Sequence, residues 1–234
     1  MTQLSYSIFP LGDSALVIDF GNIIEENLNR KALAIAHAFQ EAGIEGIKDV
    51  VPAYSSVTVH YDVTRVVKRT NTATAFETLK DKAETLLLKS TDHFARQIRK
   101  IKIPVCYAPK YALDLDDIAA QANIIAEEVV ELHTSRTYKV YMVGFLPGFA
   151  YMGEVDERIA LPRKSEPRQQ ITEGCVGIAG KQTGIYPLTS PGGWQIIGRT
   201  PVKLFDKDKT DPVLFAAGDE VEFFSISEDE FDNY

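Results

Sequence analysis

Four stretches in the second half of the chain bring together residue types that could bind a small molecule. In GFLPGFAYMG, residues 144–153, Phe145 and Phe149 flank the turn Pro147-Gly148, and glycine adopts backbone conformations that other residues resist. Such a turn can expose a ring beside bare backbone N–H groups, or it can form a β-corner with both rings in the core. LPRKSEPRQQ sets Pro162-Arg163 and Pro167-Arg168 on what must be an extended loop. Two guanidinium forks on one rigid loop suit a carboxylate or a phosphate; the alternative is exposed arginines paired with Glu157, Glu166 or Glu173.

The third stretch, GCVGIAGKQTGIYP, spaces Gly174, Gly177, Gly180 and Gly184 along a strand and its exit, where Lys181, Gln182 and Thr183 could converge on a small amide or acid. Repeated glycine in a strand marks bulges, barrel curvature or a close approach by a ligand or another backbone. The fourth, TSPGGWQIIGRTP, places the sole tryptophan, Trp194, directly behind Pro191-Gly192-Gly193. This is either a tight turn before a core ring or the lip of a site with bare backbone and an aromatic wall.

Familiar reaction motifs are missing, so no catalytic residue is assigned. There is no G-x-S-x-G elbow, no G-x-x-x-x-G-K-[ST] loop and no G-x-G-x-x-G after a strand. His37, His60, His93 and His133 contain no i, i+4 pair and neither cysteine adjoins one, so no metal is expected. Cys106 and Cys175 read as small, reduced, buried hydrophobes. With 33 acidic and 25 basic residues the net charge is -8, and no basic patch is interleaved with aromatics, which argues against nucleic acid. A secretory leader and an apolar run of about 20 residues are both absent, so no membrane role and a cytoplasmic location are expected.

The elements that must position these stretches divide at about residue 97. Before it, strand signals (LSYSIFP, SALVIDF, IKDVVPAY, SSVTVHY) alternate with an amphipathic helix carrying Leu28, Ala32, Ile35, Phe39 and Ala42 on one stripe, closed by Gly43. A second helix follows a capping box at Thr74 and Glu77, and RKIKIPV reads as a closing strand. This β-α-β-β-α-β order with an extra leading strand predicts an α+β, ferredoxin-like domain over residues 1–97. Residues 98–234 open with two short helices and then turn to short strands. Ten of the 15 glycines and six of the 11 prolines fall between Gly144 and Pro201. That density of corners predicts a closed or nearly closed β-barrel, with SEDEFDNY as a frayed tail.

In this order, GFLPGFAYMG, LPRKSEPR, GCVGIAGKQTGIYP and SPGGWQIIGRTP, with AAGDEVEF near the end, resemble the family of the 5-oxoprolinase B subunits. That family also contains allophanate hydrolase subunit 1 and the sporulation-kinase inhibitor KipI. The resemblance covers nearly the whole chain. It implies a cyclophilin-like barrel after the α+β domain, and pairing with a homologous C subunit. Together with an A subunit, the complex cleaves 5-oxo-L-proline to L-glutamate using ATP, and with no standard nucleotide cradle in this chain the ATP site is either unorthodox or on another subunit. Carried onto this sequence, the substrate- or partner-binding positions are Phe145, Pro147, Gly148, Phe149, Arg163, Arg168, Gln182, Gly192, Gly193 and Trp194. One departure stands out: Ile171-Thr172-Glu173-Gly174-Cys175 replaces a family pattern close to V-P-A-G-S. The KipI side of the family implies a second role, inhibition of a sensor histidine kinase through Phe145, Phe149 and Trp194 as surface anchors.

Overall fold

The computed structural model describes residues 5–67, 74–89 and 98–234, and the chain divides into two compact units between residues 97 and 98. The first unit contains β1 (Ser7–Pro10), β2 (Ala15–Asp19), α1 (Glu26–Glu41), β3 (Ile47–Pro52), β4 (Ser56–Tyr61), α2 (Val63–Val67) and α3 (Ala75–Lys89). Its strands form one antiparallel sheet in the order β1-β2-β4-β3. Alternation along β4 turns Val57, Val59 and Tyr61 inward, where they meet Leu16 and Ile18 of β2 and the helical residues Ile35, Phe39, Leu79 and Ala83. The buried face of α1 comprises Asn29, Ala32, Leu33, Ile35, Ala36 and Phe39, while Ala42 is exposed. Thr74 caps α3 by accepting from the Glu77 N–H at 3.1 Å.

One strand expectation is corrected. RKIKIPV does not close this sheet. It forms β5 (Lys100–Cys106) of the second unit, and the place beside β2 is taken by the leading strand β1. The split β-α-β core of β2, α1 and β3 around β4 remains, but its fourth strand comes from the start of the unit.

The second unit continues with α4 (Leu115–Ala122), α5 (Ala126–Thr134), β6 (Thr137–Val143), β7 (Ala150–Gly153), β8 (Arg168–Ile171), β9 (Cys175–Ala179), β10 (Gln182–Ile185), β11 (Ser190–Gly192), β12 (Gln195–Arg199), β13 (Glu220–Ile226) and α6 (Glu228–Asp232). Seven strands close a barrel in the order β10-β7-β6-β13-β5-β12-β9, and β8 and β11 pair as a separate ribbon. Every barrel pairing is antiparallel except β5 with β13, which run in parallel from Lys100↔Glu220 to Cys106↔Ile226. The interior is filled by Ile103, Val105, Tyr138, Val140, Met152, Val176, Ile178, Ile185, Ile197 and Val221, and Leu115, Ile118 and Val129 of α4 and α5 pack against it.

Strand β9 is buried along its whole length because both of its faces are covered. Val176 and Ile178 enter the barrel, whereas Cys175 and Ala179 join a second apolar cluster with Phe149, Ile171, Tyr186, Trp194 and Ile196. The acidic ending is not frayed. Ser227 and Glu230 form a capping box at the start of α6, Phe231 packs 4.4 Å from Tyr111 between ring centroids, and Lys110 pairs with Glu228 at 2.7 Å.

Candidate functional site

The aromatic cluster on the outer face of β9 and β10 is where the four sequence stretches meet. Phe149 (1% exposed) lies at its centre, edge-on to Trp194 at 5.3 Å, Tyr186 at 5.3 Å and Tyr151 at 4.8 Å. The glycine strand exists to seat these rings. A Cβ on Gly184 would stand 2.9 Å from Ala150 O, 3.1 Å from Trp194 Cζ3 and 3.2 Å from Phe149 Cζ, and one on Gly177 would stand 3.1 Å from Trp194 Cβ. Gly192 is equally committed, since a Cβ there would collide with Tyr186 Oη and Ile171. Gln182 is half-buried at the start of β10, two residues before Gly184 and therefore on the same face of the strand.

Above this floor the turn of residues 144–149 displays Phe145, which is 65% exposed and has a left-handed φ of 71°. Its ring stands edge-on to Phe149 at 5.6 Å. Pro147 is exposed beside it, while Gly148, at φ 86°, lies against Leu204 O, Phe205 and Pro187. Phe145 thus fits the reading of a displayed ring, whereas Phe149 and Trp194 (3% exposed) are core rings. Of the three anchors in the kinase-inhibitor reading, only Phe145 reaches the surface.

The two Pro-Arg pairs go separate ways. Arg163 is exposed, with its guanidinium carbon 5.9 Å from the centroid of Trp194, and it has no carboxylate partner among the described residues. Its positive charge acts on both neighbouring phenols. Burial pushes Tyr151 and Tyr186 up, the latter to about 12, and Arg163 opposes the shift in each case. Arg168 instead grips Asp114 through both arms of its fork, at 2.8 and 2.7 Å. Among the described residues, no arginine pairs with the side-chain carboxylate of Glu157, Glu166 or Glu173: Glu157 pairs with Lys181 at 2.8 Å, and Arg199 Nε donates only to the backbone O of Glu173. The Glu173 side chain faces solvent at its corner.

Asp114 and Lys164 are the residues that the sequence did not single out. Asp114 is 1% exposed and also accepts from Lys164 Nζ at 2.8 Å and from the Ile196 N–H at 2.7 Å. Burial alone would raise its carboxyl, but the bonds from Arg168, Lys164 and Ile196 outweigh it and hold the group below the usual carboxylate range. Lys164 N donates to Gly193 O at 2.7 Å, and Gln195 Nε2 donates to Pro162 O at 3.0 Å, so the 162–168 loop is stitched to the Gly-Gly-Trp segment on both sides of Arg163.

No group of three or more His, Cys, Asp or Glu among the described residues lies close enough to hold a metal ion. His93 lies outside the described residues, and His133 is fully buried inside the barrel. Thr183 Oγ1 donates to Gly177 O at 3.1 Å, so it must accept from His133 Nε2–H at 3.0 Å. His133 Nδ1 then accepts from Tyr107 Oη at 2.8 Å. Burial drives the imidazole pKa down to about 3, and the neutral ring stacks on Phe223 at 4.5 Å. Cys106 and Cys175 are both free and buried. Among the described residues, no helix is long and apolar enough to cross a membrane.

Residues 6–215 match the protein-family model described as carboxyltransferase domain, subdomain C and D. The B subunit of 5-oxoprolinase from Bacillus subtilis (strain 168) is 42% identical over 231 residues, covering 98% of this chain and 96% of that protein. Its counterpart in Haemophilus influenzae is 37% identical over 219 residues, covering 93% and 96%. Among solved structures, the crystal structure of TTHA0988 superposes with a TM-score of 0.79 at 35% identity, over 91% of this chain and 40% of that one. With a match over most of its length, and with these B subunits aligned over nearly theirs, the chain belongs to the carboxyltransferase domain, subdomain C and D, family.

Proposed function

We propose that the chain is the B subunit of an ATP-dependent 5-oxoprolinase, working with the A and C subunits to open 5-oxo-L-proline to L-glutamate. The observation that carries this reading is the Arg163 guanidinium, held over Trp194 with no carboxylate partner among the described residues. The relatives named as B subunits of 5-oxoprolinase support it. 5-Oxoproline offers one carboxylate and one flat lactam ring. The carboxylate suits the Arg163 fork, and the ring suits the aromatic surface that remains open, the exposed Phe145 and the half-buried Tyr151. Gln182 and the backbone of Gly192 and Gly193 orient the lactam, and Phe145 with Pro147 presents an apolar tip to a partner protein of the complex.

Opening the lactam breaks its C–N bond; water supplies hydroxyl to the carbonyl carbon and a proton to the nitrogen. The amide is stable and needs activation, which ATP supplies to the complex. The cations here do not fit a nucleotide: Lys164 and Arg168 are committed to Asp114, leaving Arg163 alone on this loop for an anion. One guanidinium matches a carboxylate better than a triphosphate, and ATP is therefore assigned to another chain of the complex. This chain's share is to bind and orient, with no proton-transfer residue assigned to it.

Reconstitution tests the proposal. The purified A and C subunits with 5-oxoproline and ATP are expected to form glutamate only when this chain is added, and full glutamate production without it would overturn the assignment.

A further inference from the structure

Asp114 lies outside all four sequence stretches, yet it joins two of them. Its Oδ1 accepts from Lys164 Nζ and Arg168 Nη2, and its Oδ2 accepts from Arg168 Nη1 and from the N–H of Ile196. Its own N–H donates to Ile196 O at 2.8 Å. One buried carboxylate thus fastens the 162–168 loop to β12, the strand that begins immediately after Trp194.

We infer that Asp114 is a positioning residue that keeps Arg163 over Trp194, and so fixes the anion subsite of this chain. The part concerning substrate rests on the 5-oxoprolinase reading; the part concerning Arg163 and Trp194 does not. Two physical arguments lead to it. Arg163 makes no hydrogen bond of its own among the described residues, so its place is set by the backbone on either side of it: Gln195 holds Pro162 before it, and Asp114 holds Lys164 and Arg168 after it. Charge points the same way. The loop carries three cations within six residues, and the side chains of Lys164 and Arg168 are only 28% and 26% exposed. Without the Asp114 charge, two partly buried cations beside Arg163 would lose their counter-ion and swing out to water, taking the loop with them.

Trp194 is the only tryptophan, which makes its fluorescence a direct reporter. In the full-length chain, Asp114→Asn and Arg168→Gln are each expected to raise acrylamide quenching of Trp194 by about twofold, and the double variant no further, because the two residues act as one tie. Arg168→Gln leaves the bond from Ile196 to Asp114 in place, so it reports even if the Asp114 variant fails to fold. Unchanged quenching in Arg168→Gln would overturn the tie. In the assembled enzyme, Asp114→Asn is expected to raise KM for 5-oxoproline about tenfold with little change in kcat, matching Arg163→Gln, with no further rise when the two are combined. A KM that rises in Arg163→Gln but not in Asp114→Asn would overturn the positioning role. An unchanged KM in Arg163→Gln would overturn the anion-subsite reading instead, and quenching would still decide the tie.

Discussion

His133 is enclosed by Tyr107, Thr183 and Phe223, and its neutral imidazole is what that enclosure selects. The folded pKa of about 3 lies below the ordinary value near 6.5, so between these limits the unfolded chain binds a proton that the folded chain refuses. The sign follows: stability from this residue is full above about pH 6.5 and declines as pH falls toward the folded pKa. By about pH 4 the loss amounts to about 3 kcal/mol. Urea denaturation at a series of pH values should show this slope, and His133→Gln, which cannot titrate, should flatten it relative to wild type. At the same scale, Gly184→Ala forces a methyl against Ala150 O and the rings of Trp194 and Phe149. It is expected to cost about 1–3 kcal/mol in denaturant unfolding.

At the scale of elements, α6 is the part of the second unit whose docking rests on few contacts. Phe231 lies on Tyr111 with Arg199 above both rings, and Lys110 reaches Glu228. Phe231→Ala is expected to lower stability by about 1 kcal/mol, with faster amide exchange confined to α6 and the segment around Tyr111. The docking was not legible in SEDEFDNY, because its charge run reads as a solvated tail and its aromatic partner, Tyr111, lies far upstream in the chain. Local signals fared better where neighbours in sequence are also neighbours in space. The α1 stripe found Ala32, Ile35 and Phe39, and the Thr74 cap lies where the box placed it. The site divides along the same line. The display of Phe145 and of Arg163 is one of two alternatives that their turns and prolines offer. Asp114 could not be found in this way, because its partners are Lys164, Arg168 and Ile196, far along the chain, and LDLDD by itself reads as a helix start.

At the scale of the whole molecule, the assignment of β5 to the barrel fixes where the chain can be divided. A fragment of residues 98–234 keeps all seven barrel strands and is expected to unfold cooperatively in urea. A fragment starting at residue 107 loses the strand between β12 and β13 and should fail to show a cooperative transition. The same pairing has a consequence for biosynthesis. β5 is made first among the barrel strands, but both of its neighbours, β12 and β13, come last. At about 5–20 residues per second, a ribosome leaves β5 without a partner for several seconds. During that interval KIKI alternates Lys100 and Lys102 with Ile101 and Ile103, and two charges on one face of the unpaired strand discourage a premature cross-strand partner. The lysines of β5 are thus expected to discourage mispairing of the nascent strand before they ever face Glu220 and Glu222 in the finished barrel.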